Sequence, residues 1–190
     1  MKKSILILMA IATSAFGQTK TKNFRNASWG MTVPKVIALE KKAKLLIEDE
    51  NIITYSGVVA GHKADIHYTF TNGKLFQGSY SFQDNHLHKL AYVFDYKKLK
   101  SLLTKKYGVE PIQDKVTWKD NRFKSDHSKL GYALLRGDVE YSAVWETSST
   151  SIVLTLTGDG KHMHHELLYY NKKLKKFAEQ LRVKEESDGL

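Results

Sequence analysis

The sequence predicts an α+β protein in which an antiparallel sheet carries helices packed on one of its faces. Residues 68–82 contain two alternating apolar and polar runs around Asn72-Gly73, a dipeptide that accepts the positive φ angles of a type I′ hairpin turn. The same alternation recurs in residues 139–147 and 151–157. Apolar side chains at helical spacing predict helices as well. These helices should span residues 32–46, 95–107 and 172–183.

The first 17 residues have the pattern of a secretory signal peptide. Two lysines precede an apolar run, and the small residues Ala15 and Gly17 place the cleavage site before Gln18. The apolar run is shorter than the roughly 20 residues that cross a bilayer. We therefore expect no membrane span and a periplasmic or secreted protein, with residues 18–190 forming a single domain.

Composition excludes several functional classes. The chain has 190 residues, a formal net charge of +10 and no cysteine. Without cysteine there is no disulfide scaffold, no cysteine nucleophile, no thiolate metal site and no cysteine for lipid anchoring, so we expect a soluble mature protein. The lysines are spread along the chain and do not form a stripe interleaved with aromatic residues. We therefore expect no nucleic-acid partner.

The first half of the chain is predicted to form one helix followed by strands. Thr32 is suited to cap the helix, and Pro34 lies in its first turn, where the missing N–H of proline has no cost. Alternation then predicts strands over residues 52–59, 62–71 and 74–82.

The second half is predicted to follow a similar plan. The helix of residues 95–107 begins at Asp95 and should bury Leu99, Leu102 and Leu103 against the first hairpin. Residues 113–129 are expected to form a long connection. The predicted strands of this half span residues 90–94, 130–135, 139–147, 151–157 and 166–170. A tandem helix-plus-hairpin repeat over residues 24–90 and 91–171 is one interpretation, and two unrelated hairpins is the other.

Short motifs along the chain carry a family resemblance. They are Trp29-Gly30-Met31, Tyr68-Thr69-Phe70, Gly73-Lys74-Leu75, Lys106-Tyr107-Gly108 and Trp145-Glu146-Thr147. With these motifs the chain resembles small exported bacterial proteins of uncharacterised function over residues 24–170. The resemblance implies a periplasmic α+β domain, similar in architecture to the tandem-repeat fold of β-lactamase-inhibitor-like proteins. It implies no activity and no site residues.

Histidines are the only residue type whose spacing suggests metal binding. His162, His164 and His165 lie close together, and His86 and His88 repeat the two-residue spacing. Both groups lie in polar segments, and no carboxylate stands at ligand spacing in the sequence. We therefore expect solvated histidines and predict no metal or other cofactor.

No sequence motif indicates catalysis. There is no Gly-x-Ser-x-Gly nucleophile elbow, and the segment around Asn72-Gly73 lacks the glycine spacing of a phosphate loop. The tripeptide Arg136-Gly137-Asp138 is predicted to be a hairpin turn. Trp145 is expected in the core, and Trp118 is the tryptophan expected to be partly exposed.

Strand alternation predicts two sheet faces with different roles. The face toward the helices should consist of Tyr68, Phe70, Phe76, Tyr80, Tyr141, Trp145, Ile152 and Leu154. The opposite face would then be open, either simply solvated or available to a partner. The partner-binding residues on it would be His67, Gln77, Ser79, Glu140 and Ser142.

These features favour an exported binding or interaction domain without catalytic activity. Its partner would be an envelope protein or a glycan. Two alternatives stay open: a small hydrolase that acts on envelope material through residues that no motif reveals, and a histidine-based metal-handling protein.

Overall fold

A computed structural model describes residues 22–41 and 43–175. Within them the α-helices are α1 (Val33–Ile37), α2 (Leu90–Tyr107) and α3 (Leu130–Arg136). The strands are β1 (Lys44–Glu48), β2 (Ile52–Val59), β3 (His62–Thr71), β4 (Lys74–Phe82), β5 (Gln113–Trp118), β6 (Val139–Glu146), β7 (Thr150–Gly158) and β8 (Met163–Asn171). The strands form one antiparallel sheet in the order β1-β2-β3-β4-β8-β7-β6-β5.

The sheet consists of two four-stranded meanders. Strands β1 to β4 pair in sequence, strands β5 to β8 do the same, and the two sets join where β4 pairs with β8. A helix precedes each meander, α1 in the first half and α2 in the second. This order of elements is what a tandem repeat would produce, and the repeat itself stays a prediction.

One face of the sheet forms the core. Every second residue of β3, β6, β7 and the later part of β8 is buried, and the residues between them are mostly half-exposed. The ring of Tyr96 in α2 lies 5.5 Å from that of Tyr141, a residue of the buried set. Gly158 continues the buried set of β7, and a Cβ there would lie 2.2 Å from the carbonyl oxygen of Leu135 in α3. Both helices therefore contact the buried face at these points.

The first hairpin forms around Asn72-Gly73 as predicted, with φ angles of 47° and 66° at the two turn residues. A β-bulge between Thr69 and Phe70 shifts the register, so that Leu75 and not Phe76 pairs with Phe70. Leu75 is fully buried, whereas Phe76 is half-exposed. The assignment of Phe76 to the core is therefore wrong, because an extra residue in one strand reverses the alternation locally.

The first predicted helix is much shorter than expected, and its predicted C-terminal end belongs to a strand. α1 has five residues and ends at Ile37, and residues 44–48 form β1 instead. The apolar spacing in this segment suits a helix, but the backbone of β1 pairs with that of β2, with Lys44 opposite Ser56. Strand pairing with a neighbour thus outweighs a weak local pattern.

Helix α2 begins earlier than expected. It starts at Leu90, so the predicted strand over residues 90–94 is wrong, and Asp95 lies inside the helix. Leu99 and Leu103 are buried as predicted, but Leu102 is 44% exposed. Burial recurs at three- and four-residue intervals along α2, and Leu102 lies beside that stripe. The buried residues of α2 are Tyr92, Val93, Tyr96, Leu99 and Leu103.

Three further predictions for residues 113–138 are wrong. The predicted connection contains strand β5 and a short 3-10 helix at His127–Lys129. The predicted strand over residues 130–135 is α3, since a short apolar run fits a buried helix as well as a strand. Gly137, with φ at 79°, ends α3, so Arg136-Gly137-Asp138 joins a helix to a strand and is not a hairpin turn.

Both ends of the chain carry predictions that the structure does not reach. The signal peptide, its cleavage site and most of the helix predicted over residues 172–183 lie outside the described residues, although residues 172–175 are helical. Among the helices that are described, none combines the length and apolar character needed to cross a membrane.

Candidate functional site

The predicted partner residues lie on one face of the sheet in two separate groups. His67 of β3 is opposite Ser79 of β4, and Gln77 lies two residues from Ser79 on the same side. Glu140 and Ser142 lie on β6, with β8 and β7 between β4 and β6. At about 4.8 Å per strand, the line from His67 to the β6 group is about 19 Å long. A partner that contacts both groups at the same time would therefore have to be a macromolecule.

The His67 end of this face is less open than expected. Ser79 is buried, and so is Thr54, which lies opposite His67 on β2. The Nδ1 atom of His67 lies 3.0 Å from the Thr54 hydroxyl, and burial lowers the pKa of His67. The expectation that Ser79 is exposed is therefore wrong: Ser79 is a small residue opposite the larger His67 and Leu168.

A row of polar residues crosses the same face from one edge of the sheet to the other. In strand order it consists of Lys44, Ser56, Asp65, Ser81, Glu166, Thr155, Ser142 and Lys115. We call this set the polar row. Its two carboxylates, Asp65 and Glu166, are two strands apart, which corresponds to about 10 Å. Sequence analysis missed both, although Glu166 alternates with the buried Leu167 and could have been placed on this face.

The C-terminal histidines do not act as one group. His165 is buried, with its ring 4.9 Å from that of Phe82, and burial lowers its pKa to about 4. The prediction of a solvated His165 is wrong, because β8 begins at Met163 and its alternation turns His165 toward the core. His164 is exposed and its Nε2 atom lies 2.8 Å from Asp159, a carboxylate that sequence analysis overlooked. The Oδ2 atom of Asp159 also lies 3.8 Å from His162.

A second group of histidines and carboxylates lies at the start of β3 and just beyond the end of β4. It consists of His62, Asp84, His86 and Asp95, and we call it the His/Asp cluster. The Nδ1 atom of His62 lies 2.6 Å from Oδ2 of Asp84, and Nε2 of His86 lies 2.5 Å from Oδ2 of Asp95. One possible metal-ligand atom from each of His62, Asp84 and Asp95 lies within 4.8 Å of the others.

Strand pairing and helix α2 together build this cluster. Ala64 is opposite Phe82, so His62, two residues earlier, comes beside Asp84, two residues later. Tyr92 of α2 donates a hydrogen bond from its hydroxyl to the carbonyl oxygen of Asp84 at 2.8 Å, and its ring lies 4.7 Å from that of His86. Residues far apart in the sequence therefore converge, which is why spacing alone could not reveal the cluster.

A cleft of about 440 Å³ opens beside the cluster. Asp84, Tyr92 and His165 line it together with the exposed His162 and His164. The Nε2 atoms of His62 and His165 are buried and have no hydrogen-bond partner among the described residues. Buried polar atoms are usually satisfied, so two unpaired imidazole nitrogens in one region are unusual.

A partly buried ion pair lies near the N-terminal end of the described chain. Arg25 donates hydrogen bonds to both carboxylate oxygens of Glu40, at 2.7 and 3.0 Å, and the hydroxyl of Tyr68 also donates to Glu40. We call these three residues the Arg25 network. Burial acts to raise the pKa of Glu40, but the hydrogen bonds from Arg25 and Tyr68 outweigh it and lower that pKa below 4.5. The Phe24 ring packs on Gly78, where a Cβ would lie 2.2 Å away.

Comparisons with known proteins give no further assignment. No family model, no curated protein and no solved structure matches the chain. The resemblance to small exported bacterial proteins therefore stays a prediction.

Proposed function

We propose that this protein is an exported binding domain without catalytic activity, which docks an envelope protein on the face of the sheet that carries the polar row. The observation that carries this proposal is the polar row itself, which spans all eight strands and has two carboxylates near its centre. Export is supported by the signal-peptide pattern of the first 17 residues.

The arrangement of the helices supports an accessible face. Helices α2 and α3 contact the buried face, and Phe24 packs on Gly78, which pairs with the buried Tyr68. We infer that the helices all lie on this side, as the sequence predicts, and that the polar row is on the free side. Most residues of the row are half-exposed, as expected for neighbouring side chains that shield each other in a sheet.

The charge and the apolar residues of this face favour a protein over a glycan as the partner. Glu166 makes no ion pair with any described residue, whereas Asp65 accepts a hydrogen bond of 3.0 Å from Gln83. An unpaired carboxylate on a broad surface suits a lysine or arginine of the partner. Val153 and Leu168, adjacent on the same face, are half-exposed and would contact apolar side chains of the partner.

The test is a binding measurement with a partner isolated by cross-linking from an envelope extract. We expect Glu166→Lys to weaken the affinity at least tenfold, and Glu140→Lys with Ser142→Lys to do the same, since these changes introduce positive charge into the row and beside it on the same face. Glu110→Lys is the matched control, because it makes the same charge change in an exposed loop outside the sheet. The control should leave the affinity unchanged.

Three outcomes would contradict the proposal. One is unchanged affinity in both sets of polar-row variants that remain folded. Another is a partner that proves to be a glycan. The third is a partner that binds a chain truncated after Lys175 but does not bind the full chain. That result would mean that residues 176–190 occupy this face in the full chain. Mass spectrometry of the exported product tests localisation separately, with Gln18 as the expected first residue.

A further inference from the structure

We propose that the His/Asp cluster binds one divalent transition-metal ion, for which Zn²⁺ is the best match. The ligands would be the imidazoles of His62 and His86 and the carboxylates of Asp84 and Asp95. This site is separate from the polar row and does not depend on the function proposed for it.

Ligand atoms of three of the four side chains already lie close together, and the fourth side chain, His86, contacts one of the three, Asp95. Zinc bonds of about 2.0 Å place neighbouring ligand atoms about 3.3 Å apart. In the cluster, the His62–Asp84 and His86–Asp95 pairs are closer than this, at 2.6 and 2.5 Å. Ligand atoms of His62, Asp84 and Asp95 are all within 4.8 Å of one another. Binding would therefore require each His–Asp pair to open slightly and His86 to turn toward the ion held by the other three ligands.

The donor set and its charge also suit such an ion. Two neutral imidazoles and two carboxylates carry a charge of about −2, which a divalent cation neutralises. Imidazole favours zinc and its neighbours in the first transition series, whereas calcium and magnesium prefer a shell made only of oxygen. The site therefore discriminates against the common hard cations.

Burial makes the four ligands a defined site and not a loose surface group. The side chains of His62, Asp84, His86 and Asp95 are 10, 22, 31 and 19% exposed. The backbone N–H of His86 donates to the hydroxyl of Tyr92, which in turn donates to the carbonyl oxygen of Asp84. These bonds hold two ligand-bearing segments in place, as supporting residues do around a metal. The adjacent cleft gives an ion a path from solvent.

The simpler interpretation is a pair of ordinary His–Asp hydrogen bonds with no ion. It predicts two independent pairs, in which loss of one carboxylate leaves the other pair unaffected. Metal binding predicts instead that both carboxylates are needed to bind the same ion. The two interpretations therefore differ in a measurable way.

The experiment is calorimetric titration of tag-free mature protein with a zinc salt. We expect one ion per chain with a dissociation constant below about 1 μM, a modest affinity for a four-ligand site. Asp84→Asn and Asp95→Asn should each weaken binding about 100-fold, because each removes one charged ligand. His86→Ala, in a partly exposed loop, is a further variant if either asparagine variant fails to fold.

The matched control is the double variant His162→Ala with His164→Ala. It removes the exposed histidines on the same cleft, which are the alternative source of zinc binding, and it should leave the affinity unchanged. Near-ultraviolet circular dichroism verifies that each variant is folded. Zinc at 100 times its dissociation constant should also raise the unfolding midpoint of the native chain by about 5–10 °C, and not that of Asp95→Asn.

Several results would overturn the proposal. They are binding weaker than about 100 μM in the native chain, binding that survives in both asparagine variants, and binding that disappears in the His162 and His164 double variant. The last result would assign zinc to the exposed histidines with Asp159. None of these results bears on the polar row, so failure here is distinct from failure of the proposed function.

Discussion

The Arg25 network and the His/Asp cluster are both partly buried groups of charged residues, yet they are built differently. In the Arg25 network both carboxylate oxygens of Glu40 have partners: Glu40 is only 4% exposed and accepts hydrogen bonds from both Arg25 and Tyr68. In the His/Asp cluster two carboxylates lie near each other, and the Nε2 atom of His62 has no partner among the described residues.

This difference leads us to expect a structural role for the Arg25 network and a binding role for the His/Asp cluster. A buried ion pair whose hydrogen bonds are all satisfied fixes two segments of the chain together, here the N-terminal segment and the end of the α1 region. A group in which two carboxylates lie side by side is poorly arranged for stability alone. We therefore expect substitutions in the Arg25 network to affect folding, and substitutions in the His/Asp cluster to affect ligand binding.

The largest effect should come from Arg25→Met. This change leaves the Glu40 carboxylate buried with only the Tyr68 hydroxyl to stabilise it, so it should reduce the free energy of unfolding by about 3–5 kcal/mol. Urea unfolding followed by tryptophan fluorescence measures the loss. Lys35→Met, an exposed change on α1, is the matched control and should cost less than about 0.5 kcal/mol. A loss below about 1 kcal/mol in Arg25→Met would show that the network is not structural.

The unfolding free energies of the native protein and of Arg25→Met should become more alike at low pH. The folded pKa of Glu40 lies below its usual 4.5, so its contribution to stability is present above that pH and is lost as the pH falls through the folded pKa. In Arg25→Met burial acts with less opposition and the pKa of Glu40 rises, which penalises the ionised form near neutral pH. The difference in unfolding free energy should therefore be largest at about pH 7 and fall by at least half at about pH 3.5. A difference that stays constant with pH would mean that Arg25 acts through packing.

A smaller effect is expected from Asp84→Asn in metal-free protein. The asparagine has the same shape and can still accept a hydrogen bond from His62, so the free energy of unfolding should fall by only about 1 kcal/mol. Chelator-treated protein is needed for this measurement. A loss as large as that of Arg25→Met would give the two regions the same role and would remove the contrast between them.

The smallest effect should be that of Leu102→Ala on α2, the helix that positions Asp95. Leu102 is 44% exposed, so its loss should cost less than about 1 kcal/mol. Leu103→Ala, one residue along and buried, should cost about 2–5 kcal/mol. Equal costs would mean that α2 is rotated from the orientation that brings Asp95 to His86. The exposed position of Leu102 replaces the buried one that the sequence predicts.

The sequence predicts the sheet well where local rules determine it. Asn72-Gly73 fixes the first hairpin through backbone conformation, and alternation correctly places Trp145, Ile152 and Leu154 in the core. The sequence-based prediction fails where pairing with a neighbouring strand determines the structure, as in residues 44–48. It also fails where a bulge shifts the alternation, as at Phe76.

The candidate sites were less predictable than the fold. The face proposed for a partner follows from alternation, although sequence analysis does not single out its carboxylates Asp65 and Glu166. The His/Asp cluster depends on strand pairing and on α2, which bring together His62 and Asp95, 33 positions apart in the sequence. Such proximity is a property of tertiary structure, and no local pattern encodes it.

The position of β8 has a consequence for how the chain folds. β8, the last strand along the described residues, lies in the middle of the sheet, between β4 and β7. Until it arrives, β4 presents an unpaired edge with Tyr80 and Phe82, and neither meander can close its core. Pairing of such distant segments is slow and leaves aggregation-prone edges exposed. A ribosome-bound chain should therefore complete its sheet only after residue 171 emerges, late in synthesis.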